Sequence, residues 1–150
     1  MGTLTQQFAN TPGVLKIGVK NKTGATLKAG TAVVLDTNNL IADASATTDG
    51  IYVAAPSGTD GAAGVIGVLL ADVIDGATGD AVPRSSGAIV AMKADGSITA
   101  GAQLMATTDS SAGHTPGDAK TLSGGRPQLG LALTTAADLE QVLVLLCDAA

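Results

Sequence analysis

The chain carries the same order of signals in each of its two halves, and that repetition constrains the fold more than any single motif. Leu27-Lys28-Ala29-Gly30-Thr31 is echoed by Ile98-Thr99-Ala100-Gly101-Ala102, each followed by an apolar pair, Val33-Val34 and Leu104-Met105. Downstream, Val65-Ile66-Gly67-Val68-Leu69-Leu70 is echoed by Gln128-Leu129-Gly130-Leu131-Ala132-Leu133. Each half reads as an apolar residue, Ala-Gly, a strand, a polar excursion and a strand with a glycine inside it. Self-similarity of this kind marks a duplicated supersecondary unit. Short strands leave edges that must be paired or covered. The two halves are therefore expected to form one barrel or paired-sheet unit, each closing the other's edges.

Local patterning agrees with an all-β chain. Leu15, Ile17 and Val19 alternate with Lys16, Gly18 and Lys20, the period of a half-buried strand, and Asn21-Lys22-Thr23-Gly24 follows as a turn. Residues 31–35 form a short β-branched run, with 40–42 as its expected hairpin partner across Asp36-Thr37-Asn38-Asn39. Residues 51–55 are another run, closed by Pro56-Ser57-Gly58, and 89–92 lead to the tight-turn dipeptide Asp95-Gly96. Residues 142–147 are apolar throughout, as expected of a strand covered on both faces. In 65–74, Val65, Leu69 and Val73 have helical spacing, but Gly67, the β-branched residues and the short reach to Asp75-Gly76 favour a strand. Two long connections, 36–50 and 106–125, are rich in Thr, Ser, Asp and Gly, and loops of that length are usually functional or disordered. Without chemistry in them, that function is contact with neighbours.

The core must be built without rings. Apolar residues make up 45% of the chain, yet Phe8 and Tyr52 are its only aromatics. Aliphatic side chains and alanine must fill the interior, which favours thin layers and close backbone approach. A chain of 150 residues buries roughly two thirds of its unfolded surface. The expected architecture is a compact barrel or two-sheet β-tulip-like domain over residues 13–150, preceded by an extended arm over 1–12. The arm is polar apart from Leu4 and Phe8 and ends in the turn Asn10-Thr11-Pro12-Gly13. It cannot bury a face of its own. Leu4 and Phe8 are its candidate anchors on a neighbouring chain, and Gln6 and Gln7 suit extended backbone pairing.

Most chemistry is excluded by inventory. The net charge is −5, from 13 acidic against 8 basic residues, so the basic footprint and stacking aromatics of a nucleic-acid binder are missing. Cys147 is the lone cysteine, which leaves no intrachain disulfide. The first residues lack the pattern of a signal peptide, and 65–74 are too short to span a bilayer. The lone histidine, His114, sits in Gly113-His114-Thr115-Pro116-Gly117, expected to be an exposed turn. No Gly-x-Ser-x-Gly elbow, Walker loop or zinc-type Cys/His spacing is present. Asp36-Thr37-Asn38-Asn39 opens like a calcium loop but lacks its glycine and terminal glutamate. No metal, nucleotide or other cofactor is expected. Pro83-Arg84-Ser85 resembles the phosphate-binding motif of trimeric dUTPases, and Val73-Ile74-Asp75-Gly76 their catalytic-aspartate motif. The order of the two is reversed here, and the base-stacking tyrosine and glycine-rich C-terminal arm are missing.

A second resemblance covers residues 24–146. Ala29-Gly30-Thr31-Ala32-Val33-Val34, Gly64-Val65-Ile66-Gly67-Val68 and Gly76-Ala77-Thr78-Gly79, in that order, resemble the phage capsid cement, or head decoration, family. Gly87-Ala88-Ile89-Val90, Ile98-Thr99-Ala100-Gly101, Leu129-Gly130-Leu131-Ala132-Leu133 and Val142-Leu143-Val144-Leu145-Leu146 continue the likeness. The stretch 110–123 and the 36–50 connection depart from it. The resemblance implies a β-rich, non-enzymatic subunit, made in the host cytoplasm, that binds the outer surface of an assembled shell. Its expected partners are the major capsid protein and itself, as a homotrimer, with no nucleic acid and no membrane. Another virion or cell-surface β-module (tail, baseplate or adhesin component) shares this composition, and a dUTPase-like enzyme is the remote third reading.

Overall fold

The computed structural model describes residues 15–40, 50–61, 64–124 and 128–148. Among them are ten strands and no helix. The first five are β1 (Ile17–Asn21), β2 (Ala32–Leu35), β3 (Ile51–Ala54), β4 (Val65–Leu69) and β5 (Thr78–Pro83). They close into a barrel in the order β1-β3-β2-β4-β5. The second five are β6 (Ile89–Asp95), β7 (Gln103–Ala106), β8 (Ala119–Thr121), β9 (Gly130–Ala132) and β10 (Gln141–Leu146). They close in the equivalent order, β6-β8-β7-β9-β10. Each barrel has one parallel contact, β1 with β3 and β6 with β8, and is otherwise antiparallel.

The fold is all-β, as the patterning predicts, and the duplication is a structural repeat down to single bonds. Leu27 and Val73 exchange backbone hydrogen bonds of 3.0 and 2.9 Å, as Ile98 and Ala136 do at 2.9 and 2.9 Å. The Gly30 N–H donates to the Leu69 carbonyl at 2.8 Å, and Gly101 donates to Ala132 at 2.8 Å. The Gly24 N–H is capped by Asp75 Oδ1 at 2.9 Å, that of Gly96 by Asp138 Oδ1 at 2.7 Å. Gly67 and Gly130 occupy one repeat position. A Cβ there would meet the Val82 carbonyl oxygen at 2.3 Å or that of Leu145 at 2.2 Å. The glycine inside each echoed strand is therefore required by the approach of β5 or β10.

Three expectations need correction. The halves do not close each other's edges: the parallel pair completes each ring, so each half removes its own edges. The hairpin partner placed at 40–42 lies mostly outside the described residues, and both edges of β2 are taken, by β3 and β4. The strand β10 is not covered on both faces. Val142, Val144 and Leu146 are fully buried while Leu143 and Leu145 are half-buried, because alternate residues of a barrel strand point outward. Residues 65–74 form strand β4 and then the Leu27–Val73 bridge, as the strand reading requires.

The two barrels share apolar surface. Val19, Val33, Val53 and Leu69 fill the first barrel, and Met92, Ile98, Leu104 and Val144 fill the second. Ala32, Val68, Leu70 and Val82 alternate with the inward residues of the first barrel, yet are buried in one cluster with the core of the second. The barrels are joined by the short connection 84–88. Among the described residues, two backbone bonds cross between them: Ala32 N–H to the Gly117 carbonyl and Gly61 N–H to the Ala106 carbonyl, both 2.9 Å. These features place one end of the second barrel on the outer β2-β4-β5 face of the first. The buried residues at that end, where β6 begins and β7 and β10 finish, are Ala88, Ala106, Leu129 and Leu146. Burial of Val68, Leu70 and Val82 supplies at most about 1.5–3 kcal/mol each.

Candidate functional site

Polar chemistry is concentrated where the barrels meet. The carboxylate of Asp60, between β3 and β4, accepts hydrogen bonds from Lys120 Nζ (2.8 Å), the Thr108 N–H (2.7 Å) and Thr108 Oγ1 (2.8 Å). The Lys120 hydrogen bond, seconded by Thr108, holds the Asp60 carboxyl well below the usual carboxylate range despite partial burial. Asp60 in turn raises the Lys120 ammonium. Lys120 also stands 3.5 Å from Asp95 Oδ2. One residue of the first barrel thus clamps a strand and a loop of the second.

The 107–118 loop carries a second network. Asp118 is buried, and desolvation pushes its carboxyl upward although it accepts the Thr115 N–H at 2.8 Å and faces Lys93 Nζ at 3.3 Å. Lys93 also donates to the Gly113 carbonyl at 2.8 Å and to Thr115 Oγ1 at 3.1 Å. His114 is not in an exposed turn: its side chain is 8% exposed, with Nε2 3.6 Å from Asp138 Oδ1 and 3.9 Å from Asp95 Oδ1. The loop folds back over the barrel, carrying the ring inward, and local turn composition does not encode that.

Among the described residues one grouping has metal-ligand character, Asp95, Asp109 and His114, whose donor atoms lie within 4.8 Å of one another. Asp95 Oδ2, 3.5 Å from the Lys120 that Asp60 already binds, and His114 Nδ1 are buried without a hydrogen-bond partner among the described residues, whereas Asp109 accepts the Ser111 N–H at 2.8 Å. The carboxylate of Asp36 is likewise spent within its own turn, on the Asn38 N–H (2.9 Å) and Asn39 Nδ2 (2.8 Å). A cleft between the barrels is lined by Lys28, Thr31, Lys93, Thr115 and Asp118. Both lysines are engaged, Lys28 with Asp72 at 3.1 Å and Lys93 as above.

The dUTPase-like residues are not brought together. Asp75 caps Gly24, and Arg84 pairs with Asp148 at 3.4 Å. They flank opposite ends of the six-residue β5, about 20 Å of extended chain apart. The expected arm contacts Leu4, Gln6, Gln7 and Phe8 lie outside the described residues.

What the geometry exposes is apolar surface. Leu15 is 65% exposed and Leu35 43%, both at the end of the first barrel where β1 begins and β2 finishes. Leu133 is 40% exposed on the outer side of the second barrel, beside half-buried Leu131, Leu143 and Leu145. Sequence reasoning missed these positions because they read as ordinary strand residues.

No family model matches the sequence, and no curated protein matches it. Among solved structures, the chain is similar in fold to the head fiber gp8.5 N base of bacteriophage phi29, at 13% identity and a TM-score of 0.57, over 91% of this chain and 98% of that one.

Proposed function

We propose that this chain is a structural virion protein that binds the outer surface of an assembled phage capsid and stabilises it, without catalysis. The observation that carries the reading is the fold: the tandem-barrel arrangement extends over nearly the whole of a phage head fiber base. At the barrel junction Asp60 pairs with Lys120 and Asp118 with Lys93, contacts that serve as a clamp, and among the described residues no nucleophile–base pair argues for turnover. The open leucines suit association with other subunits. In this reading the partners are the major capsid protein and two further copies of the chain, with Leu4, Gln6, Gln7 and Phe8 of the arm in the contact. The test is co-sedimentation of purified protein with undecorated, expanded shells assembled from the major capsid protein of the same genome. Saturable binding at a fixed ratio supports decoration. Absence of binding overturns it in favour of a tail, baseplate or adhesin component, and hydrolysis of dUTP would restore the enzymatic alternative.

A further inference from the structure

Among the described residues, the junction between the two barrels has an unfilled counterpart on the outer face of the second barrel and at the Leu15–Leu35 end of the first. Within the chain, the β2-β4-β5 face of the first barrel, carrying Ala32, Val68, Leu70 and Val82, receives the end of the second. The repeat places Gln103 of β7, Leu131 of β9, Leu133 just after β9, and Leu145 of β10 at the same four positions on the second barrel. There the face is open: Leu133 is 40% exposed, where its counterpart Leu70 is 6% exposed. The equivalence is fixed by shared bonds, since the Leu70 N–H donates to Asp80 across β5 as the Leu133 N–H donates to Leu143 across β10.

The complementary end is duplicated as well. The second barrel seats through Ala88, Ala106, Leu129 and Leu146. The first barrel presents Leu15, Leu35, Ile66 and Pro83 at those positions, all apolar, with Leu15 65% and Leu35 43% exposed. A chain of two like barrels packed head to tail leaves one socket and one plug without a partner among the described residues. The plug is apolar, and the socket is apolar apart from Gln103.

We propose that copies of this chain join through the same junction that joins its own barrels, the Leu15–Leu35 end of the first barrel in one copy seating on the Leu131–Leu133–Leu145 face of the second barrel in the next. The inference rests on the self-association in the proposed function and names the surface that makes it. Such a contact is heterologous, with different patches on the two partners, so it either closes into a ring or propagates. Three copies closing in this way make a ring of six barrels.

Sedimentation velocity of the full chain and of Leu35→Arg and Leu133→Arg tests it. Both positions are exposed in the single chain, so the variants are expected to keep the wild-type circular dichroism and melting temperature. Wild type is expected to run as a trimer and each variant as a monomer. An equimolar mixture of the two variants is expected to form one-to-one dimers, because one intact plug then meets one intact socket. A symmetric face-to-face contact through Leu133 would leave Leu35→Arg associated and give no mixed dimer, which would overturn the proposal. Trimers that survive both substitutions would overturn this surface while leaving self-association standing. A wild-type monomer at every concentration would overturn both.

Discussion

The glycine at the centre of each echoed strand offers a sharp test of the duplicated architecture. Gly130 is not in the left-handed region, so Gly130→Ala meets a steric cost, not a conformational one. The added Cβ would lie 2.2 Å from the Leu145 carbonyl oxygen, 2.9 Å from Val144 Cγ1 and 3.1 Å from the Leu145 carbonyl carbon. Close C···O contacts between adjacent strands normally lie at about 3.3–3.6 Å. The β9–β10 ladder must therefore open by about 1 Å. Forced packing of this kind costs roughly 1–3 kcal/mol, and one weakened ladder bond adds roughly 1 kcal/mol. The alanine returns about 0.4–1 kcal/mol by restricting the unfolded chain. The net destabilisation is about 1–3.5 kcal/mol, or about 2–14 °C in melting temperature for a domain of this size. Gly67→Ala, with its Cβ 2.3 Å from the Val82 carbonyl oxygen, should behave alike. Urea and thermal unfolding followed by circular dichroism measure both. A Gly130→Ala variant within about 0.5 kcal/mol of wild type would refute the close-approach argument.

Three further outcomes follow from the same structure. Asp60→Asn removes the charge that Lys120 and Thr108 stabilise across the junction, and is expected to cost about 1.5–3 kcal/mol at neutral pH, read by urea unfolding. Because the folded carboxyl is held below its unfolded value, the wild-type advantage is fully present above about pH 4, and comparing variant with wild type should show it shrinking as pH falls below that. Chelators and reductants are expected to leave the melting temperature unchanged to within about 1 °C; a shift of several degrees with chelator would assign an ion to Asp95, Asp109 and His114. Deletion of residues 1–10 is expected to preserve folding and weaken shell binding, since burying Phe8 supplies about 1.5–3 kcal/mol before ordering costs. Unchanged binding would remove the arm from the contact, and loss of folding would make it part of the core.

Strand periodicity and the repeat were legible because both are local. The alternation around Ile17 and Val19 and the close-approach glycines Gly67 and Gly130 are written within a few residues of chain. How the repeat closes was not legible. It depends on β1 lying parallel to β3 and β6 to β8, pairings across long connections that no turn signal specifies. The burial of His114 and the clamp from Asp60 to Lys120 depend on how one barrel seats on the other. The open surfaces were hidden for the same reason. Leu70 and Leu133 close the same apolar-Gly-apolar pattern in the two halves, and only the docking of the barrels makes one buried and the other exposed.

The most direct test of the account is a cryo-electron microscopy reconstruction of undecorated shells saturated with the protein. The account predicts added density on the outer surface only, divided into two-barrel subunits grouped in threes around repeated lattice positions. An unchanged shell surface, or density confined to the tail vertex, would contradict it.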